Sequence, residues 1–172
     1  MKTLRFIIGY IFGLTIFGVI IPLLMIYISN EFPGDIIPRF PLYARLLISI
    51  PIFLYGLFFA IWSNISLFTT GKGGPVDFFG VSISPRSEHL VITGPYKYTR
   101  NPMVFGGLCI YFSLAIYFNS LSCLVFWLIF FFLGGTFLKM SEEKRLLKDF
   151  GKEFQEYRSK VPMFIPRFKR KK

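Results

Sequence analysis

Residues 6–29 form a run of 24 residues without a charged side chain. As a helix, such a run rises about 36 Å, enough to cross a hydrocarbon core of about 30 Å with some tilt. The solvent for such a run is lipid, and it is read as a first spanning helix. A secretory signal would have a shorter apolar stretch and a small-residue cleavage site, whereas "IIPLLMIYIS" is bulky throughout. The run is therefore read as a retained first span.

Three further apolar runs follow. Residues 42–62 are interrupted only by Arg45 and continue uncharged to Thr70, and residues 103–118 and 121–138 are separated by Asn119-Ser120 alone. Two residues leave room only for a tight turn, so the last two runs are predicted to form an antiparallel hairpin. At about 24 and 27 Å they are short, as suits a hairpin whose inner end opens onto a polar site. The chain is 53% hydrophobic with 23 phenylalanines, and its mean hydropathy is +0.56. The expected class is an all-α integral membrane protein with about four transmembrane helices, including the short C-terminal hairpin, followed by a cytoplasmic amphipathic helix. Residues 1–70 would supply the first two spans, and residues 71–172 a loop, the hairpin and that helix as one integrated domain.

Charge orients these helices. Of the 20 lysines and arginines, only Arg39 and Arg45 lie around the loop between the first two spans; the other eighteen fall on the opposite side if four helices alternate. By the positive-inside rule that side, with both termini, is cytoplasmic. The net charge of +11 then reads as topology and as attraction of the terminal "RFKRKK" to anionic headgroups. No helix-turn-helix, zinc or RNA-recognition pattern accompanies the charge, so nucleic acid is not an expected partner. Cys109, Cys123 and His89 have no recognised metal-ligand spacing, and no metal is expected.

Within the spans, Pro22 and Pro51 predict kinks. Gly9, Gly13 and Gly18 have the spacing of close helix packing, against another span or, alternatively, in a dimer. The loop over residues 69–101 opens with "TTGKGGPVDFFG", whose glycines allow close backbone approach to a ligand. It ends in "GPYKYTRNPM". There Asn101-Pro102 signals a helix start, with Asn101 expected to cap free N–H groups and the positive helix end available to an anion. Capping alone does not account for Tyr96, Tyr98 and Arg100 just upstream.

After the fourth run comes "KMSEEKRLLKDFGKEFQEYRSKVPMFIP". At 100° per residue, Leu146, Leu147, Phe150, Phe154 and Tyr157 share one arc, Glu143 lies near its centre and Glu142 at its edge. A carboxylate on an apolar face is costly unless a charge or donors meet it, which makes Glu143 a site candidate. The alternative is a helix beginning only after Glu143, with the acidic pair decorating its first turn.

The order "TGKGGP…LVITGPYKYTRNPM", a short hydrophobic hairpin, then "EEKRLLKDFGKEFQEYRSKVPMFIP" resembles the isoprenylcysteine carboxyl methyltransferase and phospholipid methyltransferase superfamily of integral membrane enzymes over roughly the last 100 residues. The resemblance implies transfer of a methyl group from S-adenosylmethionine to a lipophilic or lipidated acceptor, a prenylcysteine-like carboxylate or a lipid headgroup, at the cytoplasmic face. It places the donor between the two motifs, at Gly94, Pro95, Tyr96, Tyr98, Arg100, Asn101, Pro102, Glu142 and Glu143. Arg100 and the helix start suit the donor's carboxylate, Glu142 or Glu143 its ammonium or ribose, the tyrosines offer stacking surface, and Gly94 permits close approach. Arg100, Glu142 and Glu143 are the expected catalytic residues, a carboxylate serving as base if the acceptor is an amine. Many relatives have His where Asn101 stands, and the carboxyl methyltransferases carry an arginine where Phe137 precedes the acidic pair here. Two other readings compete: an NADPH-dependent membrane sterol-type reductase, which an acidic pair beside a 2'-phosphate disfavours, and a non-catalytic membrane scaffold, which leaves Glu143 unexplained.

Overall fold

The computed structural model describes residues 2–74, 77–78, 81–82, 85 and 87–168. The fold is all-α apart from a two-residue strand pair, β1 (Asp77–Phe78) and β2 (Val81–Ser82), in the long loop. The first span is one continuous helix, Thr3–Glu31. It comprises α1 (Lys2–Gly13), a π-helical segment Leu14–Ile20 and α2 (Ile21–Glu31). Then come α3 (Leu42–Thr69), the hairpin of α4 (Pro102–Phe118) and α5 (Leu121–Phe137), a π-helical turn Leu138–Glu142, and α6 (Glu143–Lys160). Three helical stretches are long and apolar enough to cross a membrane, Thr3–Glu31, Leu42–Thr69 and Leu121–Lys160, and α4 is a shorter apolar helix. Large apolar side chains such as Leu47, Leu14 and Leu133 stand exposed along them, as lipid-facing residues do.

The widest helix contact is between α3 and α4, at a point where both chains have glycine. A Cβ built on Gly56 would lie 2.6 Å from the Gly106 carbonyl oxygen, and one on Gly106 would lie 2.6 Å from that of Gly56. Backbones thus meet without intervening side chains, the packing that lipid favours because apolar side chains gain little there by leaving one another's company for lipid. Ser49, Gly56 and Ser63, seven residues apart, are all buried on α3. In the first span Gly9 is buried, whereas a Cβ on Gly18 would meet nothing within 4 Å, so Gly18 makes no close contact with another span.

Pro22 does its work through the π-helical segment. The Ile21 N–H, which in an α-helix would go to the Phe17 carbonyl, goes to Ile16. The next donor in π register would be residue 22, and proline has none. The Phe17 carbonyl is therefore left without a partner from its own helix, and the Tyr111 hydroxyl of α4 donates to it at 2.7 Å. Tyr111 belongs to the core with Ile21, Met25, Ala115 and Cys123, which joins α2, α4 and α5. Pro51, by contrast, sits exposed within an α3 that continues past it.

The turn of the hairpin is Asn119-Ser120, as predicted. Asn119 takes the left-handed conformation (φ 53°) and its side chain both accepts from the Ile37 N–H (3.1 Å) and donates to the Ile37 carbonyl (2.9 Å). Arg45 donates to the Tyr117 carbonyl at 3.3 Å, in the last turn of α4, where a cation suits the negative helix end. These contacts staple the hairpin to the loop between α2 and α3.

Replacing Tyr111 by Phe keeps the ring and orphans the Phe17 carbonyl. We expect a loss of about 0.6–2 kcal/mol, seen as a lower midpoint of thermal unfolding in detergent, and an unchanged midpoint would show that the carbonyl finds another donor.

Candidate functional site

The two unusual stretches of the sequence meet at the end of the hairpin opposite Asn119-Ser120. Gly94–Lys97 form a single 3-10 turn that leads into α4. Gly94 has φ +59°, and a Cβ there would come within 2.7 Å of the Ser66 hydroxyl oxygen on α3; the glycine is required by close approach to that helix. Pro95 and Pro102 are fully buried and lock the segment at both ends. Thr99, with zero exposure, donates its hydroxyl to the Met163 carbonyl at 3.0 Å.

Asn101 departs from the capping expectation. The Asn101 side chain makes no capping bond to α4; its amide donates instead to the Met163 carbonyl at 3.1 Å. The Arg100 N–H donates to the Pro162 carbonyl and the Arg167 N–H to the Tyr98 carbonyl, both at 2.9 Å. Residues 161–168 thus lie across the start of α4 as a strap, and Asn101 serves to hold it. Tyr98 packs between Trp62 (ring centroids 6.2 Å apart) and Phe168 (5.1 Å), which occupy much of its expected stacking surface.

The acidic pair arrives from the other side. Helical conformation runs unbroken from α5 through the π-helical turn into α6, so the helix does not start after Glu143, and the extra residue in the π turn sets the register of the pair. Glu143 is only 8% exposed. One of its oxygens pairs with Arg100 Nη1 and the other lies 3.7 Å from Arg158 Nη1. Glu142, half-exposed, pairs with Arg145 at 3.6 Å one turn on. The Arg100 side chain is 12% exposed, and its Nε is buried with no hydrogen-bond acceptor among the described residues. Burial first, and then the negative field of Glu142, raise the Tyr96 hydroxyl above the usual phenol range, so it stays a neutral donor at neutral pH.

The single apolar arc assumed a straight helix, and here the structure differs. On a straight helix Arg158, fifteen residues beyond Glu143, would lie about 22 Å away. Gly151 has φ +51° and ψ −120°, a non-helical conformation that breaks α6 and that glycine adopts without strain. The break turns residues 152–160 back toward the start of α6, so that Arg158 reaches Glu143, and Phe154 and Tyr157 are buried. Tyr157 donates its hydroxyl to the Tyr96 carbonyl at 2.6 Å. Thr99, Gly151 and Arg158 carry no sequence signal that singles them out; Tyr157 was detectable only as an apolar-face residue.

The family model for phospholipid methyltransferases matches residues 44–153. That interval is well over half of the chain and runs from the first turn of α3 past the acidic pair. The chain belongs to the phospholipid methyltransferase family. No curated protein and no solved structure matches it. As a member of this family with three helices fit to cross a membrane, it is a membrane methyltransferase.

A Cβ on Gly151 would meet nothing within 4 Å, so Gly151→Ala changes backbone preference without crowding. We expect it to cost about 1–3 kcal/mol and to speed trypsin cleavage at Lys152. Unchanged stability and cleavage would mean that the fold-back does not depend on this glycine.

Proposed function

We propose that the chain moves a methyl group from S-adenosylmethionine to a lipophilic acceptor at the cytoplasmic face, with the donor between the start of α4 and the Glu142-Glu143 pair. One observation carries the reading: Arg100 and Glu143, forty-three residues apart and on either side of the hairpin, form a buried ion pair that leaves Arg100 Nε without an acceptor among the described residues. A buried guanidinium donor without a partner is costly, and a carboxylate such as the donor's would relieve it with a charge-assisted hydrogen bond. The uncapped N–H groups at the start of α4 add positive potential at the same place.

The residues present fit the donor. It supplies an electrophilic methyl group on a sulfonium for in-line displacement. With Glu143 committed to Arg100, Glu142 is the carboxylate suited to the donor's ammonium or ribose, and to taking the proton that an amine acceptor must lose. The Tyr96 hydroxyl, held neutral, offers a further donor. A carboxylate acceptor would need no base, and the contribution of the chain would be placement and exclusion of water. The eighteen basic residues on this side support a cytoplasmic site and cytoplasmic termini. The expected contact of the basic tail with anionic headgroups belongs to the same proposal; Lys169 to Lys172 lie outside the described residues.

Titration calorimetry on detergent-solubilised protein should show binding of S-adenosylmethionine and of its demethylated product. Arg100→Ala should weaken both by tenfold or more, the equivalent of a charged hydrogen bond of about 1.5–3 kcal/mol, and the exposed Glu153→Gln should change neither. NADPH binding without binding of either would overturn the proposal in favour of a reductase.

A further inference from the structure

Arg158 lies beyond the interval matched by the family, which ends at residue 153, and nothing in the proposed reaction uses it. Yet the fold-back at Gly151 brings it to the edge of the Arg100–Glu143 pair. Its Nη1 is 3.7 Å from Glu143 Oε2, an attraction at a distance beyond a hydrogen bond. Glu143 is already held through its other oxygen by Arg100, so the cluster sets two guanidiniums against one carboxylate and carries a net positive charge. The two cations differ in access. The Arg100 side chain is 12% exposed and that of Arg158 53%. An inner cation is thus enclosed by the chain while an outer one opens to the surface.

We propose that Arg158 is a specificity-determining residue that binds the oxyanion of the methyl acceptor, a phosphodiester or a carboxylate, while Arg100 serves the donor; the assignment rests on the methyltransferase reading of this site. A guanidinium is the side chain suited to such groups, because its planar fork meets two oxygens at once and it sheds water more readily than an ammonium. Glu143 between the two arginines keeps their mutual repulsion low when the site holds no anion. It also fixes the spacing between the donor-facing and acceptor-facing cations. On this account the fold-back has a chemical purpose: it places on the open side of the site a cation that the local sequence around the acidic pair does not supply there.

The test is equilibrium binding of two soluble probes to the full chain in a non-ionic detergent. Dihexanoyl-phosphatidylethanolamine carries the phosphodiester, and N-acetyl-farnesylcysteine carries the carboxylate. Arg158→Gln should weaken one of them tenfold or more, and the probe affected identifies the source of the oxyanion. Arg158→Lys should recover part of the loss, and S-adenosylhomocysteine affinity should stay within threefold of wild type in both variants. Lys160→Gln is the control for general surface charge, since Lys160 is 73% exposed on the same helix end; it should leave probe binding unchanged. Three results would overturn the proposal: neither probe weakened by Arg158→Gln, neither bound by wild type, or an equal loss from Lys160→Gln. If Arg158→Gln weakens S-adenosylhomocysteine as much as the probe, Arg158 only positions Glu143, and the proposal also fails. Failure of wild type to bind S-adenosylhomocysteine would count against the methyltransferase reading itself and is scored separately.

Discussion

The arrangement of the candidate site depends on one buried ion pair, Arg100 with Glu143. Withdrawing two charges from water costs several kcal/mol per ion, and their attraction repays this only when the geometry is held by everything around them. That support is visible on both sides. The Arg100 backbone is tied to Pro162, and its neighbours Thr99 and Asn101 both bond to Met163. Glu143 follows a π-helical turn that sets its direction, and beyond the break in α6 Tyr157 bonds to the Tyr96 carbonyl in the segment that leads to Arg100. A pair this well supported joins stretches of sequence that no local interaction relates.

The membrane part of the protein gives that pair a rigid base. In lipid, apolar side chains gain little by leaving one another's company, so helices are held by close backbone contact and by hydrogen bonds between spans. Both devices occur on α4, the helix that begins at Asn101-Pro102: the Gly56–Gly106 crossing fixes it to α3, and Tyr111 fixes it to the Phe17 carbonyl that Pro22 leaves without a donor. Asn119 pins its far end to the loop between α2 and α3. The N-terminus of α4 is consequently a fixed platform, and the strap of residues 161–168 closes onto it.

How far the sequence discloses this structure depends on the range of the signal. Spans are legible because charge-free runs have no other economical place, and the hairpin because two residues at Asn119-Ser120 permit only one kind of turn. Burial of Glu143 follows from helical period alone, since its position is separated from Leu147 and Phe150 by whole turns. Three features were not legible, each for a physical reason. A glycine inside a helical pattern reads as a small loss of propensity, so Gly151 gives no warning of a positive φ and a reversal of direction. Asn101 reads as a cap because asparagine before proline usually is one; its amide found a carbonyl sixty-two residues away instead. The packing seam was sought at Gly9, Gly13 and Gly18, of which Gly9 is buried and Gly18 faces open space, while a close crossing lies at Gly56 and Gly106, because no local pattern tells which small residues will face a partner helix.

The central claim is that Arg100 and Glu143 act as one unit in holding the methyl donor. A double-mutant cycle on S-adenosylhomocysteine affinity, with Arg100→Gln, Glu143→Gln and the pair together, measures this directly. Arg100→Gln leaves Glu143 with only the more distant and exposed Arg158, Glu143→Gln leaves Arg100 a buried cation without its carboxylate, and the double change removes both charges. The account predicts strong coupling, with the double variant losing no more affinity than Arg100→Gln alone and unfolding at a higher temperature than either single variant. Losses that simply add, or a Glu143→Gln variant that binds as wild type does, would contradict it.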